Sequence, residues 1–226
     1  MEFTSEINGK TALIYESDDM NEHPLMLMFC FSLNEAEEIV SRLCEVSGIC
    51  FVAIVLEHWE ASMIPWASKA VKATPKAEKL SEEIPALLDE VARLCKRTFR
   101  KHYLLGYSLG GLFAVFESAL GRFDGFASIS GSMWYPDLMQ YVQKSDYPGV
   151  TKAYFSIGDR EGGKPSSPFF EVREKTQAIA FAFKTKGVST TFELNEGNHF
   201  FQAPLRIRKA VEWLIAKEMT EQSSVL

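Results

Sequence analysis

Residues 106–111 read Gly106-Tyr107-Ser108-Leu109-Gly110-Gly111. The G-x-S-x-G spacing suits a serine that acts as a nucleophile. It sets Ser108 on a sharp turn between a strand and a helix, where glycines remove side chains that would clash. The hydroxyl then projects above the sheet, and the N–H of the next residue, Leu109, can hold a developing oxyanion. A serine hydroxyl is weakly nucleophilic without a base. The chain must therefore also supply a histidine and a carboxylate to orient it. The plainer alternative is a glycine-rich corner with a surface serine. The flanking residues argue against it: apolar His102 to Tyr107 runs into the motif and apolar Leu109 to Leu120 runs out.

The chain has four histidines. His23 and His102 precede strands, at the amino edge of the expected sheet. A six-residue strand is about 20 Å long, so His102 cannot reach Ser108. His58 and His199 both follow strands and lie at the same edge as Ser108. Partners of such a serine follow it in the order Ser, acid, His. That selects His199, in a short loop with Gly197, and leaves His58 as a pocket-lining residue. Acids after Ser108 at the correct edge are Asp137, Asp159, Glu161, Glu193 and Glu196. The segment Gly158-Asp159-Arg160-Glu161, just past a strand, is in the expected place. Asp159 and Glu161 compete there, because Asp159 can instead hold the turn.

These residues need a frame that gathers them. Apolar runs at 24–31, 50–56, 102–107, 125–130 and 150–157 read as buried strands, with a shorter one at 190–194. Segments 35–46, 81–98, 109–120, 171–186 and 204–218 carry helical spacing, and Ser32 or Asn34 can cap the first. A Trp-rich loop is expected at 57–70. Strands alternating with helices imply an α/β fold with a mainly parallel central sheet flanked by helices. In such sheets chemistry collects at the carboxyl ends of the strands.

At 226 residues, with 46% hydrophobic and 24% charged residues, the chain can bury roughly 70% of its unfolded surface. One domain over residues 1–226 is expected, without metal or disulfide staples. The formal net charge of −6 argues against a nucleic-acid partner. No apolar run is long enough to span a membrane. The N-terminus lacks a basic region followed by an apolar stretch. Four cysteines without a CxxC pair suit free thiols in a reducing compartment, so a cytoplasmic location is expected. There is no HExxH and no clustered Cys/His set, so neither metal nor other cofactor is expected. The polar end, 220–224, reads as frayed.

GYSLGG, the late GNHF and the GDRE segment between them resemble the esterase branch of the α/β-hydrolases, which includes the enterochelin esterases, S-formylglutathione hydrolase and mycolyltransferase-like enzymes. The resemblance runs from about residue 24 to 215. It implies a single α/β-hydrolase domain without a large cap, a site roofed near 162–168, and a serine esterase acting on a small-molecule ester. The family's Gly-x-x-acid spacing, matched by Gly158 and Glu161, favours Glu161 as the acid. Trp59 to Trp66 resembles a Trp-Pro-Trp-type loop, and Gly131-Ser132-Met133-Trp134-Tyr135 a pocket-lining segment. Trp59, Trp66, Tyr107, Trp134 and Phe200 are thus the expected substrate-binding residues. No His-Gly-Gly motif follows the strand 24–31. The second oxyanion donor then falls to the N–H of Phe31 or Ser32. The rivals are an acyltransferase on the same machinery and a catalytically silent binding protein of the same fold.

Overall fold

In the computed structural model, which describes residues 1–17, 23–167 and 169–216, strands and helices alternate along most of the chain. After an N-terminal hairpin of β1 (Glu2–Ile7) and β2 (Lys10–Glu16) come β3 (Leu25–Cys30), α1 (Leu33–Leu43), β4 (Cys50–Val55), α2 (Trp59–Met63) and α3 (Ala77–Cys95). There follow β5 (His102–Tyr107), α4 (Leu109–Ser118), β6 (Gly125–Ile129), α5 (Leu138–Lys144), β7 (Lys152–Gly158), α6 (Val172–Thr185), β8 (Ser189–Asn195) and α7 (Ala203–Ile215). The eight strands form one sheet in the order β1-β2-β4-β3-β5-β6-β7-β8. From β4 to β8 every pairing is parallel, and β2 alone is reversed, pairing antiparallel with both β1 and β4. This is the α/β-hydrolase arrangement. No large cap domain is inserted among the described residues.

The pleat explains how continuous apolar runs serve two cores. Leu25, Leu27 and Phe29 of β3 join one cluster with residues of α3, α4 and α6. Met26, Met28 and Cys30 join the other with residues of α1 and α7. A strand sandwiched between two helical layers has no polar face, and all six residues of β3 are buried.

Three features differ from the sequence expectation. The first 23 residues carry a hairpin that turns at Asn8-Gly9, both at positive φ. Asn-Gly is a strong signal for such a turn, and β1 alternates exposed and less exposed residues. The segment 57–70 contains the one-turn helix α2, and α5 was not expected; both are too short for a readable periodicity. Helix α3 begins four residues earlier than expected and contains Pro85. The capping expectation is resolved at Ser32, whose hydroxyl accepts from Glu35 N at 3.1 Å. The polar end 220–224 lies outside the described residues.

Strand order reverses direction at β3, which lies between β4 and β5. The corners after β3 and β5 therefore flank a crevice at the carboxyl edge, where α/β sheets bind ligands.

Candidate active site

Ser108 joins β5 to α4 with φ 56° and ψ −119°, a region L-residues seldom occupy. The turn closes because its neighbours have no side chains. A Cβ on Gly106 would lie 1.9 Å from Gly110 O, and one on Gly111 would lie 2.7 Å from Ser128 Oγ. Ser108 N–H donates to Ile129 O at 3.1 Å, and Ser132 N–H donates to Ser108 O at 2.9 Å. These bonds tie the corner to β6 and the segment after it.

His199 follows β8, and its side chain is about one-third exposed at 31%. Its Nε2 lies 3.0 Å from Ser108 Oγ, and its Nδ1 lies 2.7 Å from Glu161 Oε2. The Tyr107 hydroxyl donates to the His199 carbonyl, and the two rings pack at 5.3 Å. Tyr107 thus supports the imidazole as well as lining a cavity. Of the two competing acids, Glu161 meets the ring. Asp159 instead accepts from Gly197 N–H at 2.8 Å. It holds the turn of the histidine loop with its carboxylate, and its backbone N–H adds a bond to Asn195 O at 2.7 Å. Arg160 N–H adds a bond to Gly197 O at 3.1 Å.

The other carboxylate oxygen of Glu161 is fully engaged. Glu161 Oε1 accepts from Gly158 N–H at 2.7 Å, Ser130 Oγ at 2.8 Å and Arg206 Nη1 at 2.8 Å. Burial alone would raise the Glu161 pKa. The bonds from His199, Gly158 and Ser130 outweigh it and hold the carboxyl below its ordinary range. Arg206 is 2% exposed. It also donates to Ser130 Oγ at 2.7 Å and to the carbonyls of Glu196 and Asn198 at 2.9 Å each. One guanidinium therefore spans the acid and the backbone on either side of Gly197. Neither Arg206 nor Ser130 was expected from sequence. The available signal was an arginine on the apolar stripe of α7, beside Ile207 and four residues before Ala210. Buried arginines need partners.

The side of Ser108 facing α1 is built differently. Leu109 N–H opens α4 and Ser32 caps α1; neither N–H has an acceptor among the described residues. Phe31 N–H, the alternative donor, is taken by Glu35 Oε2 at 2.8 Å. Burial pushes the Glu35 pKa up to about 7, against the lowering effect of the Phe31 and Cys30 hydrogen bonds.

Ser108, His199 and Phe200 line two cavities at once. The larger, about 870 Å³, has Trp134, Phe169, Val71 and Val172 in its wall, with Gly162 and Gly163 of the expected roof. Pro168 of that roof lies outside the described residues. The smaller, about 400 Å³, is bounded by Trp59, Tyr107, Phe31 and Ser32. Phe200 is 84% exposed between them. Trp66 is a correction. It lines neither cavity; its Nε1 donates to Pro136 O at 3.0 Å and its ring packs on Phe116 and Tyr135. Its half-buried ring packs against the core. His58 is a second correction, since it lines a separate hollow beside the N-terminal hairpin.

No protein-family model matches the chain. It is 30% identical over 122 residues to the uncharacterized protein YbbA of Bacillus subtilis (strain 168). The match covers 50% of this chain and about half, 49%, of that relative. Among solved structures, an IroE-like serine hydrolase from Shewanella oneidensis superposes with a TM-score of 0.75 at 16% identity, over 95% of this chain and 78% of that one. Siderophore hydrolase EstA from Aspergillus nidulans gives 0.70 at 13% identity, over 95% and 92%. At these identities the likeness is one of fold. No helix among the described residues is long and apolar enough to cross a membrane.

Proposed function

We propose that the protein is a serine esterase, cleaving a small carboxylic ester or thioester through an acyl-enzyme, with residues 1–226 as one catalytic domain. The observation that carries this reading is the hydrogen-bonded run Ser108–His199–Glu161, with links of 3.0 and 2.7 Å. Ser108 Oγ adds to the substrate carbonyl while His199 Nε2 takes its proton. The imidazolium then faces an ionised Glu161. Leu109 N–H, with Ser32 or Phe31 N–H, holds the oxyanion; the Phe31 donor becomes available only when the Glu35 carboxylate turns away. His199 next protonates the leaving alcohol or thiol. It finally deprotonates the water that releases the acid and frees Ser108. The two cavities on either side of Ser108 suit the acyl and leaving portions of one substrate, and the larger one takes the bulkier group.

The fold shared with proteins described as serine and siderophore hydrolases supports the reading without defining the substrate. The test is incubation with a fluorophosphonate, with the adduct located by peptide mass spectrometry. The expected result is one adduct on Ser108, absent from Ser108→Ala and His199→Ala. Folded wild-type protein that stays unlabelled would overturn the proposal.

A further inference from the structure

At the opposite edge of the sheet, three elements bring sulfur and charge together. Glu16 ends β2 and pairs in register with Cys50, which opens β4. Cys95 is the last residue of α3, and the chain then turns through Lys96 in the left-handed region. The sulfurs of Cys50 and Cys95 lie 3.9 Å apart. Arg97 Nε reaches Glu16 Oε1 at 3.1 Å, and Glu16 and the two thiols lie within 4.8 Å of one another. The two cysteines are not equivalent. Cys50 is 0% exposed, whereas Cys95 is only partly covered. The Cys50 S–H bond lowers the Cys95 pKa, helped by the nearby Arg97 and opposed by burial and Glu16. The same contact, with burial, raises that of Cys50. The accessible sulfur, Cys95, is thus the one shifted towards ionisation, with the buried Cys50 behind it.

We infer that Cys50 and Cys95 form a redox site, in which Cys95 meets a peroxide and Cys50 resolves the product to a disulfide. The Cys95 thiolate attacks one peroxide oxygen; the S–O bond forms, the O–O bond breaks, and hydroxide leaves to be protonated. Cys50 sulfur then attacks the sulfenic sulfur; the S–S bond forms, the S–O bond breaks, and the departing hydroxide takes the Cys50 proton as water. Overall two thiols lose two electrons and two protons, and one peroxide becomes two waters. The sulfurs need to close only from contact distance to about 2.05 Å. A metal ion fits the cluster less well, because the Arg97 guanidinium already neutralises the carboxylate that would have to bind it. The site lies a strand length, about 20 Å, from the Ser108 edge, and the inference does not rest on the esterase reading.

The experiment is titration of the full chain with hydrogen peroxide, followed by alkylation and non-reducing peptide mapping. The expected product joins the Cys50 and Cys95 peptides, removes two of the four alkylatable thiols, and reverts with dithiothreitol. In Cys50→Ser, and in Cys50→Ala as a second variant, Cys95 should accumulate as a dimedone-trapped sulfenic acid. In Cys95→Ser, Cys50 should stay reduced. Peroxide that oxidises exposed Cys44 while leaving both Cys50 and Cys95 alkylatable in the wild type would overturn the inference. So would a disulfide from either residue to Cys30 or Cys44.

Discussion

The two flanks of Ser108 are held by opposite means. On the base side, Glu161 and Arg206 are buried and share a lattice of hydrogen bonds with Ser130, Gly158 and the 196–199 loop. On the side facing α1, Phe31 is 60% exposed and its N–H is occupied by the Glu35 carboxylate. The carboxyls respond in opposite directions: Glu161 is held below its ordinary range and Glu35 is pushed to about 7. A carboxylate given several donors is stabilised as an anion, whereas one buried with few donors is not. One flank is thus fully hydrogen-bonded around its carboxylate, while on the other a half-buried carboxyl is held by few donors.

The contrast can be broken most severely at its centre. Ser108→Ala should lower ester turnover by up to about 10⁶-fold, with His199→Ala comparable, read as initial rates on a short-chain aryl ester. Glu161→Gln keeps the shape but removes the charge facing the imidazolium. A loss of about 10⁴-fold is expected, with near-normal KM if the effect lies in the chemical step.

Arg206→Met probes how far the base side depends on its buried cation. Removing one partner of a buried pair costs about 3–5 kcal/mol, which calorimetry should register as a fall in Tm of about 10 °C. A Tm unchanged from wild type would mean that the guanidinium is incidental to that flank. Asp159→Asn, by contrast, should keep most activity, because its carboxylate holds the Gly197 turn and not the ring.

The smallest effect sharpens the comparison through pH. Glu161 has a depressed folded pKa. Its stabilising contribution is complete above the unfolded value of 4.5 and is lost as pH falls through the folded value. Glu35 has a raised one. Its contribution is complete below 4.5 and is lost as pH rises to about 7. Denaturant midpoints for Glu35→Gln should therefore gain on wild type across that upper window. Those for Glu161→Gln should lose on wild type as pH rises from the acid limb. Equal pH slopes in the two variants would show that the flanks do not differ in this way.

Much of this was local enough to read in order. Ser108 stands in a glycine-framed turn between two apolar segments, so its corner follows from neighbours within a few residues. His199 follows from chain order and from its place after the last strand. The strands 102–107 and 125–130 match observed elements to within a residue, because burial on both faces leaves an unbroken apolar run. The N-terminal hairpin, α2 and α5 escaped for the converse reason, being half-exposed or too short to carry a period.

Sequence by itself therefore determined the sheet, the Ser108 corner and the place of His199 after the last strand, since each rests on spacing within a segment. Tertiary structure decided which carboxylate turns to the imidazole, and the backbone path at Gly158 and Gly197 sent Glu161 inward and Asp159 to the turn. It also buried Arg206 behind them, packed Trp66 against the core away from both cavities and gave the Phe31 N–H to Glu35. These outcomes depend on groups brought together across 38 to 70 positions of chain, or on how one corner folds back upon itself. Neither periodicity nor composition encodes such approaches.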